Sequence, residues 1–221
     1  MFKKIIEGIK QMSRDKPVFD PSVFGDPLAH KTGWTPLKGG GANFKTHRLQ
    51  QVDYHRLQFK SSVGAKIFYS IFLIVGLGVI AIFAWPFFRE EGIVLEFELF
   101  LPLIFGSIFA IVGGALLYFG NTPIVFDKTV GYFWKGRKTP TEMYSSTSSK
   151  KHVPLQDIHA LQIIREYVSS SKSSYYSYEI NLVLKDGQRL NVVDHGSLEQ
   201  IRQDARTIAQ FLGCPVWDAT Q

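Results

Sequence analysis

Two apolar runs dominate the hydrophobic pattern of the chain, Ile67–Phe88 and Leu99–Phe119, and neither contains an Asp, Glu, Lys, Arg or His. They are 22 and 21 residues long, and only ten residues, Arg89–Glu98, separate them. About 20 such residues in an α-helix cross the hydrocarbon layer of a bilayer. The pattern therefore predicts a transmembrane helical hairpin over residues 65–120. Aromatic rings collect at the borders: Phe68 and Tyr69 at the entry, Trp85, Phe87 and Phe88 at the turn, Tyr118 and Phe119 at the exit. Amphipathic rings prefer that headgroup level. The second run also carries Gly106, Ala110 and Gly114 at four-residue spacing. Small residues on one face let helix backbones approach closely in lipid, so these three read as a packing seam. Two partners suit it: Gly76 and Gly78 of the first run, or a helix of another membrane protein.

Past the hairpin the pattern shifts to short runs with turn punctuation. Ile124–Phe126 and Tyr132–Trp134 flank a turn over Asp127–Gly131, and residues 136–151 have the Ser, Thr, Lys and Arg content of an exposed loop. His159–Val168 follows as a strand candidate. Tyr178, Ile180, Leu182 and Leu184 alternate on one strand face, Lys185-Asp186-Gly187 marks a tight turn, and Gln188–Val193 returns as the partner strand. Ser197 with Gln200 reads as a capping box, Leu198, Ile201, Ala205, Ile208 and Leu212 form an apolar stripe, and Gly213 with Pro215 ends the helix. Strands alone leave an open apolar face, and this helix is suited to cover it. The predicted fold class is an α+β membrane protein: a two-helix hairpin, then a small antiparallel β-barrel capped by a C-terminal helix over residues 121–221.

Ahead of the hairpin, residues 1–64 read as a cytoplasmic arm. Phe2, Ile5, Ile6, Ile9 and Met12 fall at helical spacing among lysines, as in a short helix lying on a membrane face or a partner. From Asp15 to Asn43 the chain is rich in Pro, Gly and Asp, and Val18-Phe19-Asp20-Pro21 and Val23-Phe24-Gly25-Asp26-Pro27 read as extended chain with two turns. Phe19, Phe24, Trp34 and Leu37 are large apolar residues in a stretch unable to build its own core, and so are candidate anchors for a groove on this chain or on a partner. The run Gly39-Gly40-Gly41 lacks the spacing and the Lys-Ser/Thr ending of a nucleotide-binding loop. The repeat His-Arg-Leu-Gln at 47–50 and 55–58 reads as a polar stem entering the membrane, with too few ligands for a metal.

Charge sets the expected orientation. Residues 1–66 carry twelve Lys/Arg against five Asp/Glu, whereas the interhelical loop has Arg89 against four glutamates. Positive segments stay cytoplasmic, so both termini are expected there, with the acidic loop outside. The formal net charge of +6 lies beside the spans, which points to anionic lipid rather than nucleic acid. The single cysteine, Cys214, excludes an internal disulfide framework and a cysteine-based zinc site.

The phrases Val125-Phe126-Asp127-Lys128 with Gly131, Pro154-Leu155-Gln156-Asp157-Ile158, and Asp204-Ala205 with Ala209-Gln210-Phe211-Leu212 and Pro215 carry a resemblance. Over roughly residues 65–217 the chain resembles bacterial inner-membrane proteins bearing a pleckstrin-homology-like cytoplasmic domain, and its layout is similar to the photosystem I assembly-factor family. The resemblance implies the fold and no particular site residues. Phosphate-binding members of that fold use clustered Lys and Arg near an early strand loop, which makes Lys128, Lys135, Arg137, Lys138, Lys150 and Lys151 candidate lipid-phosphate contacts.

No nucleophile elbow, metal-ligand spacing or paired-carboxylate motif accompanies His152, His159, His195, Asp157 and Asp194, and His195 before Gly196 reads as a turn or capping residue. The expectation is a non-enzymatic scaffold, assembly or accessory subunit, binding other integral membrane subunits and membrane lipid, with no cofactor or metal. The alternative is a membrane-anchored module for anionic headgroups.

Overall fold

A computed structural model describes residues 19–85, 97–140, 152–169 and 173–220. The amphipathic start, residues 89–96 of the interhelical loop, and Lys150 and Lys151 lie outside the described residues.

The fold is α+β, and its main domain is assembled from both sides of the helical hairpin. β1 (His47–Asp53) and β2 (Arg56–Ser61) pair antiparallel ahead of the helices. Burial alternates along β2, with Leu57 and Phe59 at 1% and 0% exposed and Lys60 exposed. That is the period of a strand with one face in a core. Only Ser62 separates β2 from helix α2 (Val63–Ala84), and α3 (Phe97–Gly120) returns to β3 (Ile124–Asp127) after three residues. β3 pairs directly with β2, Phe59 opposite Ile124 and Leu57 opposite Phe126. β4 (Tyr132–Lys135) and β5 (His152–Pro154) complete a five-stranded sheet in the order β1-β2-β3-β4-β5. The stem expected over residues 47–58 is thus two strands of the domain. The boundary drawn at residue 64 falls where the chain leaves the domain for the helices and not where a separate arm ends.

The second sheet runs β8-β7-β6-β9. β6 (Ile158–Ser169) and β7 (Ser174–Leu184) form a long antiparallel ladder, Gly187 at φ 83° closes the turn to β8 (Arg189–His195), and β9 (Val216–Asp218) adds parallel to β6. Between β8 and β9, Ser197 caps helix α4 (Leu198–Leu212) by accepting from the Gln200 N–H, and Gly213 ends it at φ 76°. Phe59, Phe126, Phe133, Leu161, Ile180 and Ile208 bury their side chains in the core between the two sheets and α4.

The expected closed barrel is not formed; the described strands make two separate sheets. One reason lies in β9, whose residues 216–218 occupy the edge of β6 that β5 would need. At the opposite side, β1 meets β8 through a side chain rather than a ladder: the Thr46 hydroxyl donates to the Asp194 carbonyl at 3.0 Å.

Residues 19–46 wrap the outer face of the second sheet. Asp20 and Asp26 each accept from the N–H two residues on and each precede a proline, so the segment holds two short helical turns, a 3-10 turn Pro21–Phe24 and α1 (Pro27–Lys31), where extended chain was expected. Asp at the cap with Pro at the first helical position favours that outcome. Phe24, Leu28 and Trp34 pack on Ala160, Val183 and Trp217, which is 2% exposed.

The helices α2 and α3 pack against each other, with Phe72 stacked on Phe109 at 5.6 Å. Both are long and apolar enough to cross a membrane, and only 6% and 11% of their spanning windows are buried.

Candidate functional site

Each group of sequence candidates has a distinct place. In the seam, Gly106 and Ala110 meet Gly76: a Cβ at Gly76 would lie 2.3 Å from the Ala110 nitrogen and 2.6 Å from the Gly106 oxygen. The next contact up is made by Gly113, beside the Leu73 backbone, while Gly114 and Gly78 have no heavy atom within 4 Å of such a position. The seam closes within the hairpin, shifted by one residue at its upper end.

The aromatic anchors also turn inward. Phe19, Phe24 and Trp34 form a ring cluster with centroids 4.5–5.6 Å apart, and Phe24 and Trp34 lie 5.8 and 5.9 Å from Trp217. Their groove is on this chain's own second sheet. Leu37 remains 41% exposed, but its N–H donates to Glu179 Oε1 at 2.8 Å. Glu179 is 2% exposed and also accepts from the Lys38 N–H and the side-chain amides of Asn181 and Asn191. The glycine run does hold an anion, and it is internal: Gly40 and Gly41 donate to the two carboxylate oxygens of Glu166 at 2.9 and 3.1 Å.

The histidines do not converge. His159 Nε2 lies 2.6 Å from Asp26 Oδ2, and this bond holds the Asp26 carboxyl below its usual range. His195 is fully buried and its Nδ1 accepts from the Ser197 N–H, a capping role at the turn into α4. His47 sits on β1, while His55 lies in the β1–β2 turn, where its N–H donates to Asp53. Among the described residues no group of three His, Cys, Asp or Glu is placed to hold a metal ion.

Burial pushes both His47 and His195 down to about 4, with nearby lysines adding to the effect. The folded state therefore binds fewer protons than the unfolded chain between about pH 4 and 6.5. Stability should be intact above pH 6.5 and fall as pH drops through that window, by about 2 kcal/mol at pH 5 from His195 alone. Thermal unfolding at pH 7.5 and pH 5 checks this, and His195→Asn should remove about half of the difference, with His47 supplying the rest.

The basic candidates are dispersed. Lys128 sits at the β3–β4 turn, the end of β3 away from the helices, with its ammonium 4.5 Å over the Phe211 ring. Lys135 points between the sheets, where its ammonium donates to Asn191 Oδ1 at 3.3 Å and burial pushes it down to about 8. Arg137 alone stands at the foot of the hairpin: it donates to the Tyr118 carbonyl at 2.6 Å and lies 4.0 Å over the Tyr118 ring, and Lys138 beside it is exposed. In place of the expected cluster, Arg137 shares a cleft of about 440 Å³ with Lys60, Lys66, Gln58 and Asn121. Lys60 and Lys66 lie beyond the stem read over residues 47–58 and belong to none of the candidate groups that the sequence suggests. The alternation Arg56-Leu57-Gln58-Phe59-Lys60 is the signal that places Lys60 on the outward face of a strand.

A second surface lies along β1. Among the described residues no strand pairs with its outer edge, and a polar groove of about 300 Å³ runs between Arg48, Leu49 and Gln51 of β1 and Gln200, Gln203 and Thr207 of α4. Compared with protein-family models, curated proteins and solved structures, the chain matches none.

Proposed function

We propose that the protein is a non-enzymatic integral membrane scaffold, an assembly or accessory subunit whose domain is held at the cytoplasmic face of a bacterial inner membrane. One observation carries the membrane part of this reading: the outward faces of the hairpin are uncovered. Ile67, Ile71, Ile74, Leu101, Ile104, Ile108 and Ile111 are all more than half exposed. A continuous apolar surface of that kind is matched by lipid and not by water. The charge asymmetry of the chain supports cytoplasmic termini and an acidic outer loop. Mainly antiparallel sheets covered by a helix near the end of the domain support a relation to pleckstrin-homology-like modules.

Partner binding is assigned to β1. The aromatic anchors and the helix seam are satisfied within the chain, which leaves the unpaired edge of β1 beside α4. An edge strand presents free N–H and C=O groups, and an extended segment of another subunit adds to such an edge by main-chain hydrogen bonds. A photocrosslinking amino acid at Gln51 is expected to capture a discrete membrane-protein partner in native membranes. The same probe at Lys128, on the far turn, is expected to capture none. A protein that runs as a monomer in mild detergent, copurifies with nothing and gives no adduct at Gln51 would overturn the scaffold reading.

A further inference from the structure

We propose that the cleft between Lys60, Lys66 and Arg137 binds the phosphate of an anionic membrane lipid, an inference that rests on the membrane-spanning reading of the hairpin. Three separate elements deliver the cations: Lys60 from the end of β2, Lys66 from the first turns of α2, and Arg137 from the chain just past β4. They line one concavity of about 440 Å³, and among the described residues no carboxylate lines it with them. Among the described residues none of the three forms an ion pair. Arg137 is preorganised, because its bond to the Tyr118 carbonyl and its stacking on the Tyr118 ring fix the guanidinium plane, and among the described residues its other N–H groups donate to no partner. A planar fork held in this way suits phosphate oxygens.

Position supplies the second half of the argument. Lys60 lies two residues before the Ser62 cap of α2, and Asn121 directly follows the last residue of α3. The cleft is therefore level with the ends of both helices on the domain side, where the headgroup layer lies when the helices span a bilayer. Gln58 adds an amide group to the lining, whereas Ser61 donates to the Gly120 carbonyl and the Asn121 amide to the Leu117 carbonyl. A juxtamembrane cation gains attraction from anionic lipid equivalent to about fivefold in affinity. Convergence in a cleft separates this site from a diffuse field: Lys138 is exposed beside Arg137 but does not line the cleft.

The test uses the full chain. Resistance of the reconstituted protein to alkaline extraction from phosphatidylcholine vesicles first establishes membrane insertion, and failure at that step overturns the membrane reading together with this one. Lipid binding to the detergent-solubilised protein is then followed by native mass spectrometry with phosphatidylglycerol, phosphatidylcholine or inorganic phosphate. Phosphatidylglycerol is expected to be retained over phosphatidylcholine, and K60Q/K66Q is expected to weaken it about 25-fold. K138Q should change it less than about twofold. Both lysine side chains are exposed and donate no hydrogen bond among the described residues, so the double variant should keep the wild-type melting temperature. Equal loss per charge in K138Q, equal retention by K60Q/K66Q and wild type, or binding of inorganic phosphate without phosphatidylglycerol would each overturn the lipid site while leaving the hairpin's insertion standing.

Discussion

A chain beginning at residue 121 is expected to remain unfolded in water, although it contains every strand and helix that the sequence assigns to the domain after the hairpin. The truncation removes β1 and β2, and with them Leu57 and Phe59 from the core, so that one edge of β3 loses its ladder. It also removes Phe24, Leu28 and Trp34 from Trp217. Full burial of a side chain such as Leu57 or Phe59 is worth about 1.5–3 kcal/mol, and the half-buried Phe24, Leu28 and Trp34 contribute about half of that each. The five together amount to roughly 5–10 kcal/mol, comparable with the whole stability of a domain. By contrast, a chain in which residues 63–120 give way to a short Gly-Asn turn is expected to fold and stay in solution. Phe59 and Ile124 are direct partners across β2 and β3, so the two strand ends already lie at hairpin distance. Circular dichroism melts of the two chains decide the matter: a cooperative transition in the spliced chain and none in the truncated one. A cooperative transition in the truncated chain at the same temperature would falsify the split-domain account.

Leucine at Gly76 or Gly113 should force the two apolar helices apart, whereas leucine at Gly78 or Gly114 should be tolerated. A Cβ at either of the first two positions would lie 2.3 Å from a backbone nitrogen of the opposing helix, and backbone has no rotamer to move aside. Overpacking of a tight contact costs about 1–3 kcal/mol or more, and here the displaced groups are two whole helices. We expect at least about 3 kcal/mol lost in detergent unfolding for Gly76→Leu and Gly113→Leu. Gly78→Leu and Gly114→Leu should stay within about 0.5 kcal/mol of wild type. Equal loss at all four positions would show that Gly78 and Gly114 also pack, for instance against a second copy. Because α2 and α3 spring from neighbouring strands, a splayed hairpin also pulls on β2 and β3, so the thermal transition of the domain should broaden along with that of the helices.

The features legible in the sequence were those with strong local signatures. Two charge-free runs of about 20 residues, the alternation over Tyr178–Leu184 and the capped stripe of α4 each depend on neighbours within a few residues. The same holds for the turn at Lys185–Gly187 and the cap at Ser197. The seam was legible in kind but not in register: glycines recur at 106, 113 and 114, and only the rotation of one helix against the other selects Gly113.

What the sequence by itself determined is therefore the helical hairpin, the later strands, the terminal helix and the charge asymmetry across the chain. Tertiary structure alone decided that β1 and β2 belong to the same sheet as β3 across an insertion of nearly sixty residues, because strand pairing depends on backbone groups that carry no sequence label. It decided that β9 takes the edge of β6 and so leaves two open sheets instead of a barrel. It placed the aromatic arm on Trp217 rather than on a partner, since apolar rings are equally suited to either until a complementary face is in reach. And it gathered Lys60, Lys66 and Arg137, which lie on both sides of the hairpin in sequence, into one cleft at its foot.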